Sequence, residues 1–293
     1  MYRSLQRLID RQSWLNTVAD PLQKFLNSIF PQQVETGASQ AIQNLLNGVW
    51  LGHPLHPMLT DVPVGAWTAT LVLDSIAALS GSEHLEQAAD LTLATGLAAA
   101  LPAAVSGVTD WKDTYGETRT VGLLHGLTMA GSVLAYTAAL AARRGGARSA
   151  GMLLSGVGYA LMAGGAYLGG DEVFDLGYPV NQTAFHQGPG KYTKAMPLAD
   201  LPENTLTKAS AGGVSILLVK QGSAVYALDD TCVHAGCTLS DGRLDGHSVI
   251  CPCHGSQFDL RDGTVLNGPA TMPEPHYDVR IREDMIEVKR AAE

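Results

Sequence analysis

Cysteine is scarce in this 293-residue chain: there are four, and all lie between residues 232 and 253. A scattered disulfide framework is thereby excluded, and one local site is implied. Charge is sparse too, at 16% of residues, with a net value of −9. It divides as 0 for residues 1–61, −5 for 62–184 and −4 for 185–293, and no basic patch forms. A nucleic-acid partner is therefore not expected. No glycine-rich stretch has the strand–turn–helix setting of a nucleotide or flavin loop. The first 30 residues are charged and polar throughout and lack the apolar core of a cleavable signal peptide.

Apolar residues, by contrast, are concentrated. Leu22, Phe25, Leu26 and Ile29 recur at helical spacing after Asp20-Pro21, and Ile42, Leu45, Leu46, Val49 and Trp50 do so after Ser39. Residues 1–47 thus read as an amphipathic helical segment, suited either to a membrane interface or to packing on a partner. Four apolar stretches follow, at about 62–80, 88–108, 121–142 and 149–170, each near the ~20 residues that cross a bilayer core. Small residues recur four apart (Gly122/Gly126, Gly131/Ala135, Gly156/Ala160), which lets helices approach closely in lipid. Val121 to Ala142 contains no acid, Lys or Arg, which favours a four-helix transmembrane domain over residues 48–170 rather than a soluble Ala-rich bundle. Asp74, inside the first stretch, is costly there without a polar partner.

After a linker at 171–195 the pattern changes to short β-type runs at 214–219, 224–228, 247–251 and 277–281. Gly222, Gly242, Gly246 and Gly263 punctuate them. The expected architecture is therefore multidomain: a four-helix transmembrane bundle followed by a small all-β domain over 196–293.

The cysteines fall in this last domain. Cys232-x-His234 and Cys251-x-x-His254 are separated by 16 residues. Two thiolates and two imidazoles suit either a zinc ion or a [2Fe–2S] cluster with one iron on sulfur and the other on nitrogen. The stretches "CVHAGC" and "CPCHGSQFD", with "NGPA" at 267–270, resemble the Rieske iron–sulfur family over residues 197–290. The resemblance implies that Cys232 and Cys251 hold the inner iron and His234 and His254 the outer one. It also implies that Cys237 and Cys253 form the disulfide seen in the cytochrome bc type, and that Gly268-Pro269-Ala270 is the proline loop shielding the cluster. Ser256 matches the family's hydroxyl donor to a bridging sulfide. Phe258 stands where high-potential members place a tyrosine, so a potential between the ferredoxin-like and bc-type extremes is expected, falling as pH rises.

"LGHPLHPMLTDVPVGAW" (51–67) and "SGVTDWKDTYGETRTVGLLHGL" (106–127) resemble an uncharacterised family of four-helix bacterial membrane domains over about 48–170. With four spans, His53, His56, Asp61, Asp110 and His125 fall on one membrane face, the face from which the β domain hangs. They suggest haem b held by His125 with His53 or His56, a quinol pocket using those histidines with Asp61 or Asp110, or purely structural imidazoles. Arg143, Arg144 and Arg148 outnumber Lys112 and Arg119 on the other face, which puts the β domain outside a bacterial cytoplasmic membrane. Arg3, Arg7, Arg11 and Lys24 reverse that tally if counted. Arg143-Arg144 looks loosely like a twin-arginine export signal, and a disulfide persists best in an oxidising compartment. The expected function is one-electron transfer between a quinol or haem site and another carrier, with membrane lipid and a redox partner protein or quinone as partners. Alternatives are the electron-supplying component of a Rieske oxygenase system and a redox sensor. An oxygenase needs a mononuclear iron held by two histidines and a carboxylate, and no such site is expected here.

Overall fold

The computed structural model describes residues 12–31 and 38–292; Arg3, Arg7 and Arg11 lie outside them. The chain forms two compact units, Met1–Phe30 with Leu55–Tyr178, and Pro31–Pro54 with Pro179–Glu293. The expected N-terminal segment is thus shared between the units.

The first unit holds α1 (Ser13–Ile29) and four long helices: α3 (Leu55–Ser80), α4 (Glu83–Trp111), α5 (Gly116–Arg144) and α6 (Arg148–Phe174). The intervening α2 (Ala38–Asn47) belongs to the second unit. The four long helices have 26 to 29 residues, and each contains a window of mean hydropathy 1.3 to 1.7. At about 1.5 Å per residue they outreach a hydrocarbon core about 30 Å thick. α4 and α5 extend past their apolar stretches at both ends, α3 only at its start and α6 mainly at its end, because polar residues continue the helix there. Connections of two to four residues make consecutive helices antiparallel neighbours. α3 packs on α4 and α5 on α6, so the bundle is two hairpins closed against each other.

The two hairpins repeat one design. Residues 69 apart in α3 and α5 meet across the bundle: Trp67 stacks on Tyr136 with ring centroids 4.3 Å apart, and Asp74 pairs with Arg143. Each aromatic also fills a glycine notch on the other helix of its own hairpin. A Cβ on Gly96 would lie 2.3 Å from Trp67 Nε1, and one on Gly158 would lie 2.9 Å from the Tyr136 ring. These glycines are 62 apart. A pseudo-two-fold axis therefore runs down the bundle between α3 and α5.

Asp74 has the polar partner its position demands. Arg143 donates through Nη1 to Asp74 Oδ1 (3.0 Å) and Asp90 Oδ1 (2.8 Å), and through Nη2 to Ser155 Oγ (2.8 Å). Arg148 adds contacts to Asp74 (3.1 Å) and Glu86 (3.2 Å). Both arginines thus have a structural task, whatever their part in export or topology. α1 packs on the bundle through Leu15, Ala19 and Leu26, and Gln23 donates to the carbonyls of Trp111 and Thr114. Trp14, Val18, Phe25 and Ile29 form a second, exposed apolar stripe.

The second unit is built from three antiparallel sheets. β1 (Thr193–Pro197), β10 (Met285–Arg290) and β9 (Tyr277–Arg282) form one in that order. β2 (Thr207–Ala211), β3 (Val214–Gln221) and β4 (Ala224–Asp229) form the second. β5 (Arg243–Asp245), β6 (Ser248–Ile250), β7 (Gln257–Asp259) and β8 (Val265–Asn267) form the third. Side chains of β3 alternate between two cores. Leu217 and Val219 join Phe258, Leu260 and the cysteine loops, while Ile216 and Leu218 join Ile286 and Val288. Residues 179–190, expected as linker, are laced onto this unit: Gln182 N donates to Val233 O (3.0 Å), His186 Nδ1 to Asp229 (3.0 Å), and Arg290 to His186 O (2.7 Å).

Candidate functional site

Two loops of the same build meet at the tip of the third sheet. The first follows β4 and the second follows β6. In each, the leading cysteine N–H donates to the carbonyl five residues on: Cys232 to Cys237 (2.8 Å) and Cys251 to Ser256 (2.8 Å). In each, the glycine four residues on donates back to the cysteine carbonyl: Gly236 at 2.9 Å and Gly255 at 3.2 Å. Both glycines have positive φ, 75° and 77°, which a side chain rarely tolerates. The turn leaves each leading cysteine pointing inward, with a histidine two or three residues later.

Cys237 and Cys253 form a disulfide that ties the loops together. Cys232 and Cys251 stay as free, buried thiols. They lie within hydrogen-bond reach of one another; that bond brings the Cys251 thiol down to about 7, and the same bond and burial push Cys232 up. His234 and His254 stand with ring centroids 4.9 Å apart and 80° between their planes. Burial, with its like-charged neighbour, lowers the His234 imidazole to about 3, which keeps it neutral as a ligand must be. Sulfurs of Cys237, Cys251 and Cys253 also cluster within 4.8 Å, but two of these are spent in the disulfide and offer no thiolate. What remains is two thiols and two imidazoles on facing loops, a donor set that fits a [2Fe–2S] cluster of mixed ligation.

The surroundings hold this set in place. Ser256 Oγ accepts from Ala270 N (3.0 Å), which fixes the loop of Gly268, Pro269 and Ala270 over the site. α2 braces the same loop: Asn44 accepts from Gly268 N (2.9 Å) and donates to Leu266 O (3.2 Å). A cleft lined by Pro54, Pro179, Asn181, Pro269 and Met272 opens beside His234, which is 8% exposed, against 2% for His254. Sequence reasoning missed Glu274. It is buried, accepts from Val233 N (3.0 Å) and so props the first loop, and burial holds its carboxyl well above the usual range. It also missed Asp229, which accepts from Thr231 N (2.9 Å) at the root of that loop. No motif marks either residue.

The residues expected around a membrane site are only partly gathered. His56 Nδ1 donates to Ala103 O and His125 Nδ1 to Gly165 O, each at 2.7 Å, and their rings stand 6.1 Å apart. Asp110 lies at the same end of the bundle and interacts with Glu172. Asp61 is exposed on α3. His53 is exposed, bonds to Pro54 O (3.2 Å) and belongs to the other unit.

This loop pair is that of a Rieske domain, and the chain matches the Rieske [2Fe-2S] domain over residues 191–281. Residues 52–182 match the family described as "Predicted membrane protein (DUF2231)". Ferredoxin CarAc of Metapseudomonas resinovorans is 32% identical over 98 residues, covering 33% of this chain and 92% of the relative. The ferredoxin component of the naphthalene 1,2-dioxygenase system of Pseudomonas putida is 32% identical over 91 residues, 31% of this chain and 88% of the relative. The ferredoxin subunit of 3-phenylpropionate/cinnamic acid dioxygenase of Escherichia coli (strain K12) is 38% identical over 88 residues, 30% and 82% respectively. The solved ferredoxin of carbazole 1,9a-dioxygenase from Nocardioides aromaticivorans IC177 aligns at 27% identity, 34% of this chain and 99% of that one, with a TM-score of 0.33. The chain belongs to the Rieske [2Fe-2S] family and is a ferredoxin-like electron carrier, attached to a membrane domain of four apolar helices. The Rieske domain implies a [2Fe–2S] cluster.

Proposed function

We propose that this chain is a membrane-anchored Rieske protein that passes single electrons to or from a redox partner. Cys232 and Cys251 hold the inner iron, and His234 and His254 the outer one. When bound, the cluster supplies a one-electron couple, in the range of about −150 to +300 mV for imidazole ligation. The chain's own residues do the rest. The disulfide and the Ser256–Ala270 bond hold the loops closed, Phe258 and Leu260 keep water from the inner side, and the cleft beside His234 gives a partner its approach. The observation that carries this reading is the pair of matched loops presenting two free thiols and two imidazoles across one disulfide.

The names of the relatives favour a role as the electron-supplying component of an oxygenase system. The DUF2231-type bundle favours an electron source in the membrane, a quinol or a haem. The disulfide favours placing the Rieske domain on the external face of a bacterial cytoplasmic membrane. Full-length protein in detergent is expected to contain iron and acid-labile sulfide in equal amounts, to show a rhombic electron paramagnetic resonance signal on reduction, and to lose both in Cys232→Ser. Protein-film voltammetry is expected to give a mid-range potential, because Phe258 brings no hydroxyl to the sulfurs. Folded protein that holds zinc and no sulfide would sink the proposal. Addition of quinol to membranes separates the two electron sources: reduction of the cluster supports a membrane source, and its absence supports a soluble reductase.

A further inference from the structure

His56 and His125 are 69 residues apart, the offset that relates Trp67 to Tyr136 and Asp74 to Arg143. Their settings match in detail. Each donates Nδ1–H to a carbonyl of the neighbouring helix in its own hairpin, and each ring lies over the glycine four residues further along that helix. A Cβ on Gly107 would come within 2.8 Å of His56, and one on Gly169 within 3.3 Å of His125. The second helices carry another matched pair, Asp110 and Glu172, 62 apart as the notch glycines are, and at the same end. Helix packing alone asks only for a donor to the carbonyl, which many side chains supply. It does not ask for an imidazole in both halves.

A carbonyl only accepts, so Nδ1 carries the proton in both rings, and in the neutral imidazole Nε2 is left with its lone pair. Two such nitrogens, on rings whose centroids lie 6.1 Å apart, with the carboxyls of Asp110 and Glu172 at the same end, form a set of acceptors. Its complement is a cation. A metal bound by two imidazole nitrogens at about 2.0–2.1 Å holds the ring centres about 5 Å apart at a tetrahedral angle and about 6.4 Å apart when the rings are opposite, and these, at 6.1 Å, suit a wide angle. Anchoring of a ligand histidine through its other nitrogen is the usual way in which a protein fixes ring and tautomer. We propose that the bundle carries a transition-metal site on its pseudo-two-fold axis, with His56 and His125 as ligands. Imidazole selects iron, zinc, copper or nickel. The remaining positions are filled either by water, for a bare ion, or by a porphyrin, for haem iron. The proposal stands independently of the Rieske cluster.

The test uses full-length protein in detergent, with acid-labile sulfide fixing the cluster content, incubated separately with Zn2+ and with haem b. One equivalent of metal per chain beyond the cluster iron is expected. It is lost in His56→Asn and in His125→Asn, whose amides still donate to the same carbonyls, while the cluster signal is unchanged. A Soret band in the bound fraction identifies haem iron, and an extra equivalent without that band identifies a bare ion; either upholds the site. X-ray absorption at the zinc edge of the zinc-loaded wild-type protein, which needs no variant and does not sense the imidazoles on the cluster iron, is expected to show two imidazoles; for haem-loaded protein a low-spin bis-imidazole spectrum is the equivalent. Uptake of neither probe, uptake that survives both asparagine variants, or fewer than two imidazoles overturns the proposal.

Discussion

Gly96→Ala tests how the two hairpins are held together. The added methyl would sit 2.3 Å from Trp67 Nε1, 2.5 Å from Cδ1 and 2.9 Å from Cε2. The indole cannot retreat: it is fully buried, and its other face is stacked on Tyr136 at 4.3 Å. Overpacking of this kind costs about 1–3 kcal/mol, and alanine in a helix returns about 0.8–1.0 kcal/mol relative to glycine. The clash is with a rigid ring, so the upper part of that cost applies, and a net loss of about 1–2 kcal/mol follows. Gly158→Ala meets the Tyr136 ring at 2.9 Å, a milder overlap, and should lose less. Gly65→Ala and Gly156→Ala meet nothing within 4 Å and should be neutral or gain up to about 1 kcal/mol. Thermal denaturation of the four variants in one detergent, read by circular dichroism, gives the order Gly96 below Gly158 below wild type. A Gly96→Ala protein as stable as Gly65→Ala would show that the Trp67–Tyr136 stack does not close the seam between the hairpins.

Two further outcomes are expected. Cys237→Ser with Cys253→Ser opens a cross-link between residues 16 apart, and a loop of that size corresponds to about 3 kcal/mol. Denaturant titration should show that loss together with faster bleaching of the cluster; an unchanged midpoint would mean that the loops hold without the clamp. Glu274 binds its proton more tightly in the folded than in the unfolded chain, because burial raises its folded value. Stability should therefore fall as pH rises above the unfolded carboxylate value of about 4.3. Glu274→Gln, which still accepts from Val233 N, should flatten that slope; parallel curves for both proteins would refute the assignment.

The sequence made the cluster loops legible because their chemistry is local: two cysteines, two histidines and two glycines lie within two short stretches. The four spans were equally readable from uninterrupted apolar runs. Other features depend on tertiary partners. In α2 Ile42 and Leu45 are exposed, as is Trp50 just after it, while Gln43 and Asn47 are buried. Beside them Asn44 is held by the Leu266 carbonyl and the Gly268 amide, over 200 residues away, which no local pattern announces. β5 to β8 have three residues each, too few for alternation to register. The hairpin repeat is hidden because most positions that keep their identity between halves, such as Ala66/Ala135, Leu71/Leu140 and Ala98/Ala160, carry the Ala and Leu that any apolar helix is rich in. The offset also changes from 69 to 62 at the turn between helices, where the first hairpin is seven residues longer.

The ion pair between Asp74 and Arg143 has a consequence for how such a bundle can be assembled. Two copies of either hairpin, joined about the same axis, would set aspartate against aspartate or arginine against arginine in a low-dielectric interior, where unpaired charge is strongly disfavoured. Only unlike halves satisfy each other there. Carrying both on one polypeptide guarantees a strict one-to-one supply of complementary mates, and it leaves neither half with a reason to seek its twin.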